Sequence, residues 1–477
     1  MQLLADIYNP EAFRAQGHAL VDLMADYLLS VQSRQEPIVI PWKEPAENLA
    51  YWQADSQKPL LDNPIDLFAD VLANSTHLHH PRYMGHQVPP PAPLAVLAGM
   101  LTELLNNGMA VYEMGLASNP MEKQVTELLA ERIGYSANSG GLLTSGGTLA
   151  NLTALLTARA LHAPGDVWED GHSGRLAIMV SEEAHYCIDR AARIMGLGSN
   201  GIVKVPCDRH FKMRTDLLES RYREATEAGL FVFAIVGSAC STATGAHDDL
   251  EAVANFAAAH HLWFHADGAH GGAAVFSQKY RHLLKGMERA DSVVVDFHKM
   301  LLTPALATAL VYREGKDGFR TFQQKAQYLW ADQTSEDWYN SGKRTFECTK
   351  YMMSTKIYAL LRAYGEKAFE ANVDCLYDLG AAFANLILSR PAFELAYQPE
   401  CNIVCFRHRA ATSETANALN THIRERLLET GMFYIVQTNI EGLVWLRVSL
   451  MNPLTTTADL VLLLDTLEMY GKMMNDE

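Results

Sequence analysis

Between residues 141 and 312, short apolar runs alternate with stretches whose apolar positions recur at helical spacing. The short runs predict strands at 176–180, 202–205, 231–236 and 262–265, with two more near 292 and 308. The longer stretches predict helices at 147–161, 185–195, 213–226 and 248–260. Strands alternating with helices imply an α/β fold: a mostly parallel sheet covered on both faces. Leu310-Val-Tyr-Arg313 is expected to end this core as an edge strand.

The flanks read differently. Asn9-Pro10 is an N-cap followed by a proline at the first helical position. Phe13, Leu20, Leu23, Met24, Tyr27, Leu28 and Val31 then mark an amphipathic helix over 9–32 with no obvious partner nearby in sequence. Residues 36–64 are polar and proline-bearing, so a connector is expected. Helices follow at 66–75, 94–107 and 120–133. Residues 315–345, with Trp330, Trp338 and Tyr339, lack clear periodicity and read as a candidate lid. Residues 346–389 are helical with a break at Gly365. Strands at 392–397, 401–406, 432–437 and 443–450 and helices at 413–430 and 457–473 complete a compact α+β region. The expected division is an N-terminal helical segment (1–75), a large domain (76–365) carrying the lid, and a small C-terminal domain (366–477).

Composition narrows the class. The chain has 477 residues, 49% hydrophobic and 20% charged, enough for a large core. Lys plus Arg is 39 and Asp plus Glu is 55, a formal net charge of −16. An acidic chain with no basic block argues against nucleic acid or an anionic membrane surface as partner. No apolar run approaches the roughly 18 residues needed to span a bilayer. The N-terminus lacks a basic stretch followed by a cleavable apolar one. Seven cysteines without CxxC spacing read as reduced thiols, and the expected location is cytoplasmic. Cys401 and Cys405, with His408 nearby, lie in an alternating strand and read as core. His79, His80 and His86 cluster, but no Cys, Asp or Glu completes a metal site, so no metal is expected.

The chemistry-bearing residues fall at strand ends. Asp267 ends the strand that includes Leu262, Trp263 and Phe264. Lys299 follows the strand Ser292–Val295. In an α/β sheet, residues past the carboxyl ends of strands face the ligand crevice. A lysine there is expected to have a pKa lowered by desolvation, ready to form a Schiff base with a carbonyl. A carboxylate beside it can pair with a protonated ring nitrogen. Pyridoxal phosphate needs those two partners. Leu143-Thr-Ser-Gly-Gly-Thr-Leu-Ala-Asn151 is a glycine-rich turn entering a helix; its N–H groups, with Ser145 and Thr148, suit a phosphate. His185 follows the strand 176–180, where an imidazole can lie on the ring.

These residues resemble the group II pyridoxal-phosphate-dependent amino-acid decarboxylases over about residues 75 to 470. The likeness rests on His80-Pro-Arg-Tyr83, Thr144-Ser-Gly-Gly-Thr148, Ser181-Glu-Glu-Ala-His185, Thr242 with Asp248, His265-Ala-Asp267-Gly-Ala269, His298-Lys299 and Arg447-Val-Ser-Leu-Met-Asn-Pro453. It implies a fold-type I architecture with Lys299 as the Schiff-base lysine and Asp267 at the ring nitrogen. His185 would stack on the ring and Ala269 pack under it. Gly147, Thr148 and His298 would contact phosphate, with Thr242 near the ring hydroxyl. It also implies a homodimer with the active site at the subunit interface, the N-terminal helix swapped across it, and His80 in a loop lining the substrate pocket. A lid tyrosine, Tyr339 with Tyr328 as runner-up, would reprotonate the product.

The likeness has departures. Asp296-Phe-His-Lys299 is closer to the L-2,4-diaminobutyrate decarboxylase branch than to the frequent Asn-Pro-His-Lys. Lys350 stands where several members have the arginine that clamps the substrate α-carboxylate, and Arg344 is the other candidate. The resemblance therefore implies α-decarboxylation of an L-amino acid, with diaminobutyrate as the expected substrate. The alternatives are an acidic or aromatic amino acid, an aminotransferase, or an aldehyde-forming oxidative decarboxylase.

Overall fold

A computed structural model describes residues 1–172, 174–322 and 336–476. The chain divides into two units. One comprises Met1–His86, Asn385–Ala396 and Cys405–Glu477; the other comprises Gln87–Ala384 and Tyr397–Val404.

The larger unit holds a seven-stranded sheet. Its strands are β1 (Gly140–Thr144), β2 (Arg175–Ser181), β3 (Ile202–Val205), β4 (Leu230–Ser238), β5 (Trp263–Asp267), β6 (Ser292–Asp296) and β7 (Thr308–Tyr312). They lie in the order β1-β7-β6-β5-β4-β2-β3. The five from β6 to β3 run parallel, and β7 is antiparallel to both β6 and β1. Every residue of β5, β6 and β7 is buried, as expected of strands covered on both faces. Ala150, Ala154 and Ala158 repeat every four residues along the helix Gly147–His162. They let its backbone approach Ile178, Val180, Phe233 and Val294 closely in one core cluster.

Two expectations change here. The segment 310–313 is not an edge: β7 is interior, and β1 lies outside it. β1 escaped notice because it begins Gly140-Gly141, which weakens a strand signal. Packing demands a glycine at 141, where a Cβ would sit 2.8 Å from the Leu310 carbonyl oxygen and 2.9 Å from Thr126 Cβ.

β1 also explains two buried cations. Among the described residues, its outward carbonyls, Gly141 and Leu143, meet no neighbouring strand. Arg344 Nη1 donates to Gly141 O at 3.0 Å, and Lys350 Nζ donates to Leu143 O at 3.0 Å. Lys350 also pairs with Glu122, both almost fully buried. The two cations cover an edge that would otherwise invite another chain. Burial holds both below their ordinary pKa, against the pull of Glu122.

In the smaller unit, Asn9 caps the helix Pro10–Gln32, its side chain accepting from Glu11 N at 2.9 Å and Ala12 N at 3.3 Å. The expected connector 36–64 contains a helix, Pro45–Asp55, that begins at a proline and buries no residue fully, so its pattern is weak. β8 (Phe393–Leu395), β9 (Ile403–His408), β10 (Val436–Ile440) and β11 (Leu443–Ser449) form a sheet in the order β10-β11-β9-β8. The helices Ser413–Thr430 and Thr457–Asp476 pack on each other. Arg34 grips Asp459 with two bonds, of 2.6 and 3.0 Å, tying the N-terminal segment to the last helix. Among the described residues, no helix is long and apolar enough to cross a membrane.

The β1 edge yields a stability test. Lys350→Ala leaves Glu122 buried without its cation and Leu143 O without its donor. It is expected to cost about 3–5 kcal/mol in chemical denaturation. The double change Lys350→Met with Glu122→Gln is expected to cost less than Lys350→Ala alone, because no charge is left stranded.

Candidate active site

Five strands deliver their carboxyl ends to one edge of the sheet, and a candidate residue follows each. β1 runs through Ser145 and Gly146 into the helix at Gly147 and Thr148. Gly146 has φ +128°, a conformation that favours glycine. The first N–H groups of that helix have no intrahelical acceptor and suit an anion. β2 leads to His185, which caps the helix Tyr186–Ile194; its Nδ1 accepts from Cys187 N at 3.4 Å. β4 leads to Thr242. β5 ends at Asp267 and continues to Ala269. β6 ends at Asp296 and continues to His298 and Lys299. All eight expected cofactor residues line one cavity of about 350 Å³, together with Asn151, Cys187, Cys240 and Asp296.

Charge in this cavity is organised by two carboxylates. Lys299 Nζ lies 2.9 Å from Asp296 Oδ2. Asp296 also accepts from the Thr308 hydroxyl, and His298 Nε2 stands 3.8 Å away. The lysine was expected to have a lowered pKa, and the structure gives the opposite sign. Burial pushes it down, but Asp296, with Asp267 beyond it, outweighs burial and holds the ammonium above its ordinary value. For Asp296, burial pushes up, but Lys299, His298 and Thr308 win and hold it below the ordinary carboxylate range. Asp267 is held by neutral donors: Ala269 N reaches Oδ1 at 3.1 Å and Asn151 Nδ2 reaches Oδ2 at 3.1 Å. Burial lowers His185 below its ordinary value and raises the Cys187 thiol well above its own. The imidazole is thus a neutral face and the cysteine stays protonated.

These residues fit pyridoxal phosphate. One primary amine and one carboxylate stand on adjacent strand ends, a neutral imidazole and a small alanine line the same space, and a helix N-terminus opens into it. The cradle is tight: a Cβ on Gly147 would come within 3.4 Å of both Asp296 carboxylate oxygens and 3.5 Å of Ala269 Cβ.

The other expected site residues lie elsewhere. His80 belongs to the smaller unit, fully buried, its Nε2 3.1 Å from Glu36 O and its Nδ1 accepting from Arg82 N at 3.0 Å. Lys350 and Arg344 cap β1 and do not line the cavity. Tyr339 is exposed, donating to Asp337 at 3.2 Å with its ring edge-on to Tyr112. Tyr328 lies outside the described residues. Ser145 does line the cavity, but its hydroxyl, expected to face phosphate, donates to Glu347 at 2.9 Å. Two contributors had not been singled out. Asn151 sits one helical turn after Gly147, a spacing that puts both on one face. Thr308 meets Asp296 only through the register of β6 and β7, for which local sequence carries no signal.

Known proteins share this architecture. Human acidic amino acid decarboxylase GADL1 is 28% identical over 466 residues, covering 92% of this chain and 89% of the relative. Mouse cysteine sulfinic acid decarboxylase is 28% identical over 482 residues, 97% of each chain. Its crystal structure (mouse CSAD) superposes with a TM-score of 0.91, at 27% identity, over 97% of this chain and 99% of that one. The glutamate decarboxylase domain of a Vibrio parahaemolyticus diaminobutyrate-pyruvate transaminase and L-2,4-diaminobutyrate decarboxylase superposes with a TM-score of 0.84. It is 26% identical over 97% of this chain and 96% of that one. Residues 47–409 match the pyridoxal-dependent decarboxylase conserved domain, and with the cavity built around Lys299 and Asp267, the chain belongs to that family of pyridoxal-phosphate-dependent amino-acid decarboxylases.

Proposed function

We propose that this decarboxylase acts on a small acidic L-amino acid of the aspartate, glutamate or cysteine sulfinate class, releasing carbon dioxide and the amine. The observation that carries this choice is the commitment of the cavity's carboxylates. Asp296 is tied to Lys299 and Thr308, and Asp267 to Asn151 and the Ala269 backbone. Both carboxylates already have partners within the cavity, so neither by itself calls for a cationic side chain. Two relatives that span most of the chain bear names of acidic-substrate decarboxylases. A second reading, L-2,4-diaminobutyrate, is favoured by the Asp296-Phe-His-Lys299 motif and by the likeness to the Vibrio domain.

When bound, pyridoxal phosphate supplies the electron sink for the bond that breaks. Lys299 is the anchor of its aldehyde carbon and Asp267 the partner of its ring nitrogen. His185 and Ala269 would bracket the ring, with Thr242 near its hydroxyl. Gly147, Thr148 and His298 would receive the phosphate. Tyr339 of a second copy is the proposed proton donor to the product carbon. The Asp337 carboxylate raises that phenol above its ordinary value, which keeps it an acid. A homodimer is supported by apolar side chains left exposed on the helix Pro10–Gln32, with Phe13 at 54% and Leu29 at 66%.

Three measurements test this reading. A panel of aspartate, glutamate, cysteine sulfinate, diaminobutyrate, ornithine and tyrosine, followed by carbon dioxide and amine release, is expected to favour an acidic substrate by at least about tenfold in kcat/KM. A diamino acid at the head of the panel overturns the choice. Lys299→Ala is expected to lose the visible-edge absorbance of the bound cofactor and to lower turnover at least about 10²–10⁴-fold. Retention of both would remove the lysine from its role. Phe13→Asp combined with Leu29→Asp is expected to halve the mass found by light scattering.

A further inference from the structure

We propose that Asn151 is a positioning residue, held by a buried chain through His265, Ser292 and Trp263, that aims the carboxylate of Asp267 without neutralising it. The proposal rests on the reading of Asp267 as the partner of the cofactor's ring nitrogen.

The geometry begins with strand alternation. His265 and Asp267 are two apart on β5, so their side chains leave the same face of the sheet. The helix Gly147–His162 packs over that face and places Asn151 between them. Its Nδ2 lies 3.1 Å from Asp267 Oδ2, and its Oδ1 lies 2.7 Å from His265 Nε2. On the far side of the imidazole, His265 Nδ1 is 2.8 Å from Ser292 Oγ, the residue paired with it across β5 and β6. Trp263 Nε1 donates to the same hydroxyl at 2.9 Å.

Donor counting fixes the direction of the chain. A carboxylate only accepts, so the amide nitrogen of Asn151 must face Asp267. Its oxygen then accepts, and His265 must carry its hydrogen on Nε2. His265 Nδ1 is left as an acceptor, so the Ser292 hydroxyl donates to it. That hydroxyl in turn accepts from the indole. Each link uses one donor and one acceptor, running indole, hydroxyl, imidazole, amide, carboxylate. His265 and Ser292 have no exposed surface, Asn151 has 1% and Trp263 has 2%. In such dry surroundings a broken link strands a polar group, so the chain holds one arrangement.

The function follows from the charge at each link. A lysine or arginine in the place of Asn151 would orient Asp267 equally well but compete for its negative charge. An amide orients it and leaves that charge available. The imidazole behind it is neutral too, since burial pushes His265 down to about 4. The contrast with Asp296, whose charge is taken up by Lys299, lies within one cavity.

The test uses the full-length holoenzyme loaded with pyridoxal phosphate labelled at the ring nitrogen with ¹⁵N. The ring-nitrogen shift is followed against pH in the unaltered protein and in four variants. Asn151→Ala and His265→Leu are expected to make the ring nitrogen release its proton about tenfold more readily, with kcat falling more than KM rises. His265→Gln, whose carboxamide accepts from Ser292 and donates to Asn151, is expected to restore most of the difference. If Asp267→Asn strips the proton while Asn151→Ala and His265→Leu change nothing, the inference fails and the reading of Asp267 stands. If Asp267→Asn also leaves the ring protonated, that reading fails and takes the inference with it. Should a variant not fold, the ¹⁵N-histidine spectrum of the unaltered chain still decides. His265 must show a pyridine-like Nδ1 and a pyrrole-like Nε2, and the reverse tautomer or a cation overturns the chain.

Discussion

The ion pair between Lys299 and Asp296 is the interaction on which the candidate site depends. A carboxylate buried at the end of β6 costs several kcal/mol to desolvate unless it is paired and hydrogen-bonded. Lys299, three residues on, supplies the charge, and Thr308 supplies a hydroxyl from the next strand. Thr308 reaches it because β7 runs antiparallel between β6 and β1 with Asp296 and Thr308 in register. The strand that breaks the parallel pattern thus supplies a partner to an active-site carboxylate. It gives the lysine a fixed partner and a fixed place beside Asp267.

Two carboxylates share this cavity in unlike settings. Asp296 is met by a cation, whereas Asp267 is met by an amide and a backbone N–H. Different surroundings are how one site gives two like groups separate duties. The same logic separates the lysines. Lys299 opens on the cavity; Lys350 and the neighbouring Arg344 are spent on the carbonyls of β1, the last strand of the sheet among the described residues. A cation's place in sequence, beside motifs that bind small molecules, does not say whether it faces the ligand or mends a sheet edge.

Much of this was legible along the chain. The alternation of strand and helix is a local property, since side-chain periodicity and caps act over a few residues, and it foretold all the sheet strands except β1. Strand ends are local as well, so His185, Asp267 and Lys299 were legible as residues at carboxyl ends and Gly147 as part of a turn entering a helix, whereas Thr242 was reached only through the family resemblance. Glycine hid β1, because the property that lets Gly141 pack against Leu310 and Thr126 also erases the strand signal. The helix Pro45–Asp55 was hidden for the opposite reason: it buries no residue fully, so no apolar stripe marks it.

What local pattern could not carry was pairing. Which strand lies beside which, and in what register, is settled by the burial of whole faces at once, and residues far apart in the chain meet only as a result. Thr308 on Asp296, Ser292 on His265, and Asn151 between His265 and Asp267 all belong to that class. The chemistry of the site, an amine and a carboxylate at neighbouring strand ends, was written in residue order. The sign of the lysine's pKa shift, the fate of Lys350 and the partners that hold each carboxylate were decided by packing, because electrostatic energy depends on distance and burial and not on position in the chain.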